Sequence, residues 1–196
     1  MSGAAPAANS REQRAAGEER WRLFFALWPD RAVQAALAAV GKEVASFCKG
    51  RLIPRDKLHM TLAFLGLADR AQLEALRGLS GGILSPSCEL VLGRLSCWDR
   101  KGIAWLGMDE VPNAITDLVT RLRTMLRGAG FVPEERAFAP HVTLMRHARC
   151  RLPEHQAIRP VVWPVSEFVL VRSTLDPDGA AYQIIGRWPL SAHAPG

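Results

Sequence analysis

The tetrapeptide His59-Met60-Thr61-Leu62 recurs in the second half of the chain as His141-Val142-Thr143-Leu144. Both copies lie in apolar, strand-like surroundings, and side chains on a strand alternate between its two faces. Each copy therefore presents an imidazole and a hydroxyl on one face. The other face carries apolar anchors, which in the first copy include Phe64. Two such units facing each other predict two histidines and two hydroxyls around one small polar ligand.

The alternative interpretation is that the repeat has no functional role and consists of two unrelated pairs of half-buried residues, because a single His-x-Thr on a strand is common. Against it stands the composition, since the chain has only 5 histidines and places one copy of the motif in each half. Spacing alone leaves both interpretations open.

Composition and charge bound the class of protein. The chain has 196 residues, of which 48% are hydrophobic and 22% charged, as in an ordinary folded protein. Its net charge of +6 and pI near 9.7 favour an anionic partner such as nucleic acid, nucleotide or phosphate. The alternative is that the protein is basic but binds no nucleic acid.

The four cysteines, Cys48, Cys88, Cys97 and Cys150, form no C-x-x-C pair and have no histidine at a zinc-finger spacing. We therefore expect no metal site, and free thiols in a reducing cytoplasm. No run of about 18 apolar residues predicts a membrane span, and the first apolar run is too short for a secretory signal.

Residues 1–19 lack periodicity and predict a disordered tail, residues 20–190 a single domain, and residues 191–196 a frayed C-terminal tail. Periodicity and capping residues predict three helices, at 30–47, 69–79 and 112–128. Apolar runs bounded by turn residues predict strands at 21–28, 58–67, 89–98, 103–108, 140–145, 166–175 and 180–188. Basic loops are expected at 49–57 and 149–160.

This order predicts an α+β fold made of two pseudo-repeated halves. Each half is expected to have a mostly antiparallel sheet with helices on its outer face. In this bilobal arrangement the inner faces, polar at the two motifs, enclose an active-site cleft.

Five segments between residues 22 and 190 carry a resemblance to a known family. They are Arg22-Leu23-Phe24-Phe25-Ala26, Leu58-His59-Met60-Thr61-Leu62-Ala63-Phe64-Leu65-Gly66, Trp105-Leu106-Gly107, Phe138-Ala139-Pro140-His141-Val142-Thr143-Leu144-Met145-Arg146, and the closing hairpin with Tyr182 and Trp188-Pro189-Leu190. On these segments the chain resembles the 2H phosphoesterase superfamily, and within it the bacterial RNA 2′,3′-cyclic phosphodiesterases, also called LigT-like proteins or 2′-5′ RNA ligases.

The resemblance implies roles for named residues. His59 is the expected general acid and His141 the general base, while Thr61 and Thr143 bind the phosphate oxygens. The sequence itself does not distinguish the two histidine roles, because the motifs are nearly symmetric. Arg146 is expected on the phosphate side. Strict alternation from His141 puts it on the wrong face, so the strand must end or bulge near Met145.

The expected activity is hydrolysis of an RNA 2′,3′-cyclic phosphate to a 2′-phosphomonoester, without a metal or other cofactor. The alternatives are a reversible, ATP-independent 2′-5′ RNA ligase and a non-catalytic RNA-binding module. The expected partners are RNA ends or cyclic nucleotides, bound by a monomer that contacts no membrane. Phe24, Phe138 or Trp105 could stack on a base, although aromatic residues in strands more often belong to the core.

Overall fold

The computed structural model describes residues 20–151, 158–176 and 179–191. The predicted tail at 1–19 lies outside these ranges. Within the described ranges, ten strands and three α-helices follow one another. Their bounds are β1 Trp21–Leu27, α1 Arg31–Val44, β2 Cys48–Leu52, β3 Met60–Ala68, α2 Arg70–Ser80, β4 Cys88–Leu92, β5 Arg94–Trp98, β6 Ile103–Gly107, α3 Asn113–Gly128, β7 His141–Cys150, β8 Val161–Val165, β9 Glu167–Asp176 and β10 Gly179–Pro189.

An eight-stranded sheet joins both halves of the chain, in the order β10-β9-β1-β3-β7-β6-β5, with β2 also paired to β7. Strands β4 and β8 form a separate two-stranded sheet, and all these pairings are antiparallel. The α+β class with antiparallel sheets is therefore confirmed. Strands from both halves belong to the same large sheet, whereas a separate sheet was predicted for each half. The division of the protein into two lobes stays a prediction.

Local sequence fixes where the helices begin. The carboxylate of Asp30 accepts a hydrogen bond from the backbone N–H of Val33 at 2.8 Å, which caps α1. Asp69 and Gln72 form a reciprocal capping box at the start of α2, with bonds of 2.8 and 3.1 Å. Helix α3 begins directly after Pro112, a residue that suits a helix start.

The large sheet has two different faces near β1. Leu23, Phe25 and Leu27 belong to the main core, which includes buried residues from all three helices. Phe24 and Ala26 alternate with them and face the opposite side, where they form a small apolar cluster with residues of β9 and β10. Strand β1 is thus buried on both faces, and the smaller cluster lies beneath the first His-x-Thr motif.

Several predicted boundaries were wrong. Helix α1 ends at Val44, and the predicted loop at 49–57 contains most of β2 and a short 3-10 helix, Arg55–Lys57. The predicted strand at 89–98 is two strands, separated at Gly93, which belong to different sheets. Strand β7 extends to Cys150, and β8 was not predicted. The strands differ from the prediction because their bounds depend on pairing with strands far away in the sequence. Local sequence patterns do not indicate such pairing.

The expectation of free thiols was wrong for two of the four cysteines. Cys48 and Cys150 are register partners on β2 and β7, so their sulfurs meet and form a disulfide. Cys88 and Cys97 carry free thiols. Sequence spacing concealed the pair because the two strands are far apart along the chain.

The C-terminal boundary also differs from the prediction. Ser191 was expected to be frayed, but it bridges to Pro86 and exchanges backbone hydrogen bonds with the same loop. Residues 192–196 lie outside the described ranges. Of the helices in the described part of the chain, none is long and apolar enough to cross a membrane. A cytoplasmic location stays a prediction.

Candidate active site

The two His-x-Thr motifs lie side by side in the large sheet. Strands β3 and β7 share a single register pair, Met60 with Val142, which are the central residues of the two motifs. Since the strands are antiparallel, His59 lies beside Thr143, and Thr61 lies beside His141. Met60 and Val142 are fully buried, so the four polar side chains share the opposite face. The predicted picture of two units facing each other across a gap is therefore corrected to two neighbouring strands.

Both imidazoles are anchored in the same way. The Nδ1 atom of His59 lies 2.8 Å from the carbonyl oxygen of Lys57, and that of His141 lies 2.7 Å from the carbonyl oxygen of Ala139. A carbonyl only accepts, so each Nδ1–H donates. This bond fixes the tautomer and leaves Nε2 of each neutral ring as a proton acceptor. Both histidines are thereby oriented for proton transfer through Nε2.

Three aromatic rings surround His59. The ring of Trp28 is stacked on it, with 5.1 Å between centroids and an interplanar angle of 3°. Phe24 contacts it at 5.1 Å, and Tyr182 contacts it edge-on at 5.2 Å. The three rings thus form an aromatic cage around the imidazole.

This cage determines the protonation of His59. Burial, the largest cause, lowers its pKa from 6.5 to about 4. The hydrogen bond to Lys57 opposes the change, whereas the positive charges of Arg146 and His141 add to it. In the free protein His59 is therefore neutral at pH 7.

His141 has different neighbours. Trp98 contacts it edge-on at 4.6 Å, and Trp105 lies at 6.1 Å. The ammonium of Lys101 lies 5.1 Å from the centre of the Trp98 ring, in cation–π geometry. His141 therefore contacts two tryptophan rings, and one of these rings also contacts the ammonium of Lys101.

The pKa of His141 is also lowered. Burial is again the largest cause, and the charges of Lys101 and Arg146 add to it, while the hydrogen bond to Ala139 opposes it. The neutral form of both histidines is thus favoured in the unliganded protein, and an anion bound beside them would raise the pKa of each.

The bulge that Arg146 requires is present in β7. Trp105 pairs with Thr143 but Ala104 pairs with Met145, so Leu144 is the extra residue. After this bulge Arg146 pairs with Ile103, which alternation places on the same face of β6 as Trp105. Arg146 is exposed, and its charge acts on both histidines.

The two threonines are half-buried beside the histidines. Within residues 20–151, 158–176 and 179–191, no hydrogen bond engages either hydroxyl. A hydroxyl can both donate and accept, so Thr61 and Thr143 could each bind one oxygen of an anion at this face. No cluster of His, Cys, Asp and Glu that could hold a metal ion occurs in those same ranges.

The aromatic residues considered for base stacking differ in exposure and packing. Phe24 is only 3% exposed and packs on His59, so it offers no free face to a base and that prediction is corrected. Phe64 was expected in the core, but an extra residue in β3 turns it to the side of Phe24, and it is 58% exposed. Phe138 packs against the main core, and its role in substrate binding stays a prediction.

Trp105 has a packing role that explains the neighbouring glycine. A Cβ on Gly107 would lie 2.7 Å from the Trp105 ring, so only glycine allows the ring to lie there. The indole Nε1 of Trp105 is buried and has no hydrogen-bond partner in the described part of the protein.

Sequence reasoning missed four residues of the site: Trp28, Trp98, Lys101 and Tyr182. Alternation along β1 carried a signal for Trp28, since it continues the face of Phe24 and Ala26. Trp98 ends the predicted strand at 89–98, and Lys101 lies in the connection to the predicted strand at 103–108, but nothing local indicated that this connection lies beside His141.

Comparisons with known proteins identify the family of the chain. The family model for the 2′-5′ RNA ligase superfamily matches residues 28–177. The chain belongs to this superfamily. An RNA 2′,3′-cyclic phosphodiesterase from Escherichia coli is 34% identical over 146 residues, which are 72% of this chain and 81% of that protein. One from Thermus thermophilus is 29% identical over 86% of this chain and 90% of its own length.

The solved structures include a superfamily member very similar in fold. Escherichia coli LigT, solved in complex with 3′-AMP, has a TM-score of 0.80 and 30% identity, and the match covers 88% of this chain and 99% of that one. The predicted family is confirmed, as is the prediction of an enzyme of this hydrolase class.

Proposed function

We propose that this protein opens the 2′,3′-cyclic phosphate end of RNA and leaves a 2′-phosphomonoester, using His59 and His141 and no metal ion. The observation that carries the proposal is the single register pair between β3 and β7. In this pairing two anchored imidazoles and the side chains of Thr61 and Thr143 lie on one face of the sheet. Relatives named RNA 2′,3′-cyclic phosphodiesterase supply the substrate class.

The reaction needs two proton transfers. His141 Nε2 takes a proton from water as the water oxygen forms a bond to phosphorus. The bond from phosphorus to the ribose 3′ oxygen then breaks, and His59 gives a proton to that oxygen. Thr61 and Thr143 hydrogen-bond the non-bridging oxygens, and Arg146 balances the charge that develops on them.

To act as the acid, His59 has to take up a proton when the substrate binds. In the free protein the pKa of His59 is about 4, which by itself suits a base better than an acid. A cyclic phosphate is an anion, and a negative charge close to the ring raises its pKa and favours the protonated form. The family resemblance and the pKa of the free protein therefore favour opposite roles for His59, and an experiment on the leaving group can separate them.

Ligation is the second candidate function, favoured by the superfamily to which the chain belongs. The same two histidines would serve it. A ribose hydroxyl of a second RNA strand would take the place of water, so no ATP would be needed. A non-catalytic RNA-binding module is the weaker alternative, because both motifs are intact. Since one chain supplies both histidines, we expect the monomer to be active.

The direct test is hydrolysis of a nucleoside 2′,3′-cyclic phosphate by the full chain in EDTA. We expect turnover to persist, and phosphorus NMR to identify the product as the 2′-phosphomonoester. Loss of activity in EDTA with recovery on adding a divalent cation would contradict the two-histidine mechanism. A 3′-phosphate product would mean that the other ribose oxygen leaves.

A further inference from the structure

A strip of like charges lies where β2 pairs with β7. Lys49 is the register partner of Arg149, and Arg51 is the register partner of Arg146. All four side chains are exposed. We call these four residues the basic ribbon. In the ranges 20–151, 158–176 and 179–191 none of them forms an ion pair with an acidic side chain.

The basic ribbon is unfavourable for the fold alone. Residues directly opposite on antiparallel strands have Cβ atoms about 4.5–5.5 Å apart, and like charges at that distance destabilise the pair. Lys49 and Arg149 directly follow and precede the disulfide-bonded Cys48 and Cys150, so a covalent bond holds the repelling strands together. At Gly50 the strands approach so closely that a Cβ would lie 2.8 Å from the backbone oxygen of Arg146.

The basic ribbon continues the candidate active site. Arg146 belongs to both, since its charge acts on His59 and His141. Only Gly50 lies between Lys49 and Arg51, so the two cross-strand pairs are about 7 Å apart along β2. A ligand that fits this arrangement carries one anionic group at the histidines and further anionic groups at regular intervals along an extended chain.

We propose that the basic ribbon binds the phosphate backbone of the RNA strand whose 2′,3′-cyclic end occupies the active site. The proposal rests on the proposed function for its substrate. The cyclic phosphate is the 3′ end of that strand, so the nucleotides on its 5′ side lie along β2 and β7. The ribbon holds the strand by charge and does not read its sequence.

Two variants test the proposal, because each replaces a repelling pair with an attracting one. In Lys49→Glu and in Arg149→Glu the new carboxylate faces the remaining cation. Each variant should therefore keep its Tm or raise it by about 1–4 °C. For an RNA decamer ending in a 2′,3′-cyclic phosphate, each should lower kcat/KM about tenfold at low salt. Turnover of a nucleoside 2′,3′-cyclic phosphate should stay within about twofold of the original protein.

Salt dependence gives a second readout. The decamer should lose kcat/KM steeply as salt rises, and each variant should make that slope shallower by about 0.7 for every phosphate that the variant no longer neutralises. The matched control is Arg121→Glu, an equal change of charge at an exposed position on α3. It should leave the decamer and its salt slope unchanged. Equal effects of Lys49→Glu and Arg121→Glu would overturn the proposal.

Direct binding separates this proposal from the proposed function. Fluorescence anisotropy with a decamer that lacks the cyclic phosphate measures the basic ribbon alone. If Lys49→Glu weakens binding of this decamer but the protein does not hydrolyse cyclic phosphates, the proposal for the basic ribbon is supported and the proposed function is wrong. If Lys49→Glu leaves decamer binding intact but abolishes binding to vesicles of anionic lipid, the ribbon serves a membrane surface and the proposal is wrong.

Discussion

The two His-x-Thr motifs share a backbone design and differ in their surroundings. In each motif the histidine Nδ1 bonds the carbonyl two residues earlier, at Lys57 and at Ala139. His59, however, lies in a cage of aromatic rings, whereas His141 lies near the ammonium of Lys101. The anchoring is a property of the repeated segment, but the environment comes from strands that pair with it.

Nearly identical motifs can take unequal roles when their surroundings differ. Two titratable groups in one site act as acid and base when their environments separate their pKa values. Burial is the largest cause of the lowered pKa at both histidines, but nearby charges differ, since Lys101 acts on His141. Removing either histidine tests whether the two motifs form one site, and changing the rings around each histidine tests whether the two have separate roles.

Removing either imidazole should have the largest effect. His59→Ala and His141→Ala should each lower kcat on a nucleoside 2′,3′-cyclic phosphate by at least about 100-fold, since a positioned acid or base is lost. The double variant should be little worse than either single one, because the two act as a unit. Full activity in either single variant would exclude the hypothesis that the two histidines form one active site.

A matched control is available at His147, which is exposed and has a φ of 52°. Asparagine tolerates this backbone conformation, so His147→Asn should keep both fold and activity. A substrate with a much better leaving group needs less help from an acid. It should partly rescue His59→Ala and not His141→Ala; rescue of the opposite variant would reverse the two roles.

The threonines should show an intermediate effect. Thr61→Ala and Thr143→Ala should each raise the barrier by about 1.5–3 kcal/mol, as for a lost hydrogen bond to a charged group. That is a loss of roughly 10- to 150-fold in kcat/KM. Thr116→Ala is the control, because that hydroxyl donates to the Asn113 carbonyl on the surface of α3. A loss below about twofold in both motif variants would exclude the hydroxyls from the transition state.

Changing the surroundings should have the smallest effect on rate and a clear effect on pH dependence. The pKa of both histidines is lowered, so the bell-shaped profile of kcat/KM should have its optimum below pH 6.5. Trp28→Leu removes the stacked ring and admits water, which raises the pKa of His59. One limb should then move by up to about one pH unit to higher pH, while the maximal rate changes less than tenfold.

The side of the profile that changes identifies the role of His59. An acid must be protonated, so if His59 is the acid a higher pKa should raise kcat/KM on the alkaline side and leave it unchanged on the acidic side. If His59 is the base, the higher pKa should lower kcat/KM on the acidic side and leave it unchanged on the alkaline side. Trp98→Leu is the matched change at His141 and should change the other side. A Trp28→Leu profile identical to that of the original protein would show that the cage does not set this pKa.

Much of the site was predictable because its causes are local. The alternation of a strand put His59 and Thr61 on one face, and the capping residues Asp30 and Asp69 placed two helix starts. The expectation that the strand ends or bulges near Met145 followed from the same alternation together with the family resemblance, which implies that Arg146 lies on the phosphate side. Where alternation failed, as at Phe64, the reason was an extra residue in β3 that only its pairing with β1 reveals.

The family, the two motifs and the strands that carry them could be predicted from the sequence, because they depend on residues a few positions apart. The tertiary structure decided that the motifs lie side by side through one register pair, that aromatic rings enclose His59, and that Lys49 faces Arg149 next to a disulfide. These contacts join residues far apart in the chain. Closing such long loops depends on the free energy of the whole sheet and core, which no local pattern encodes.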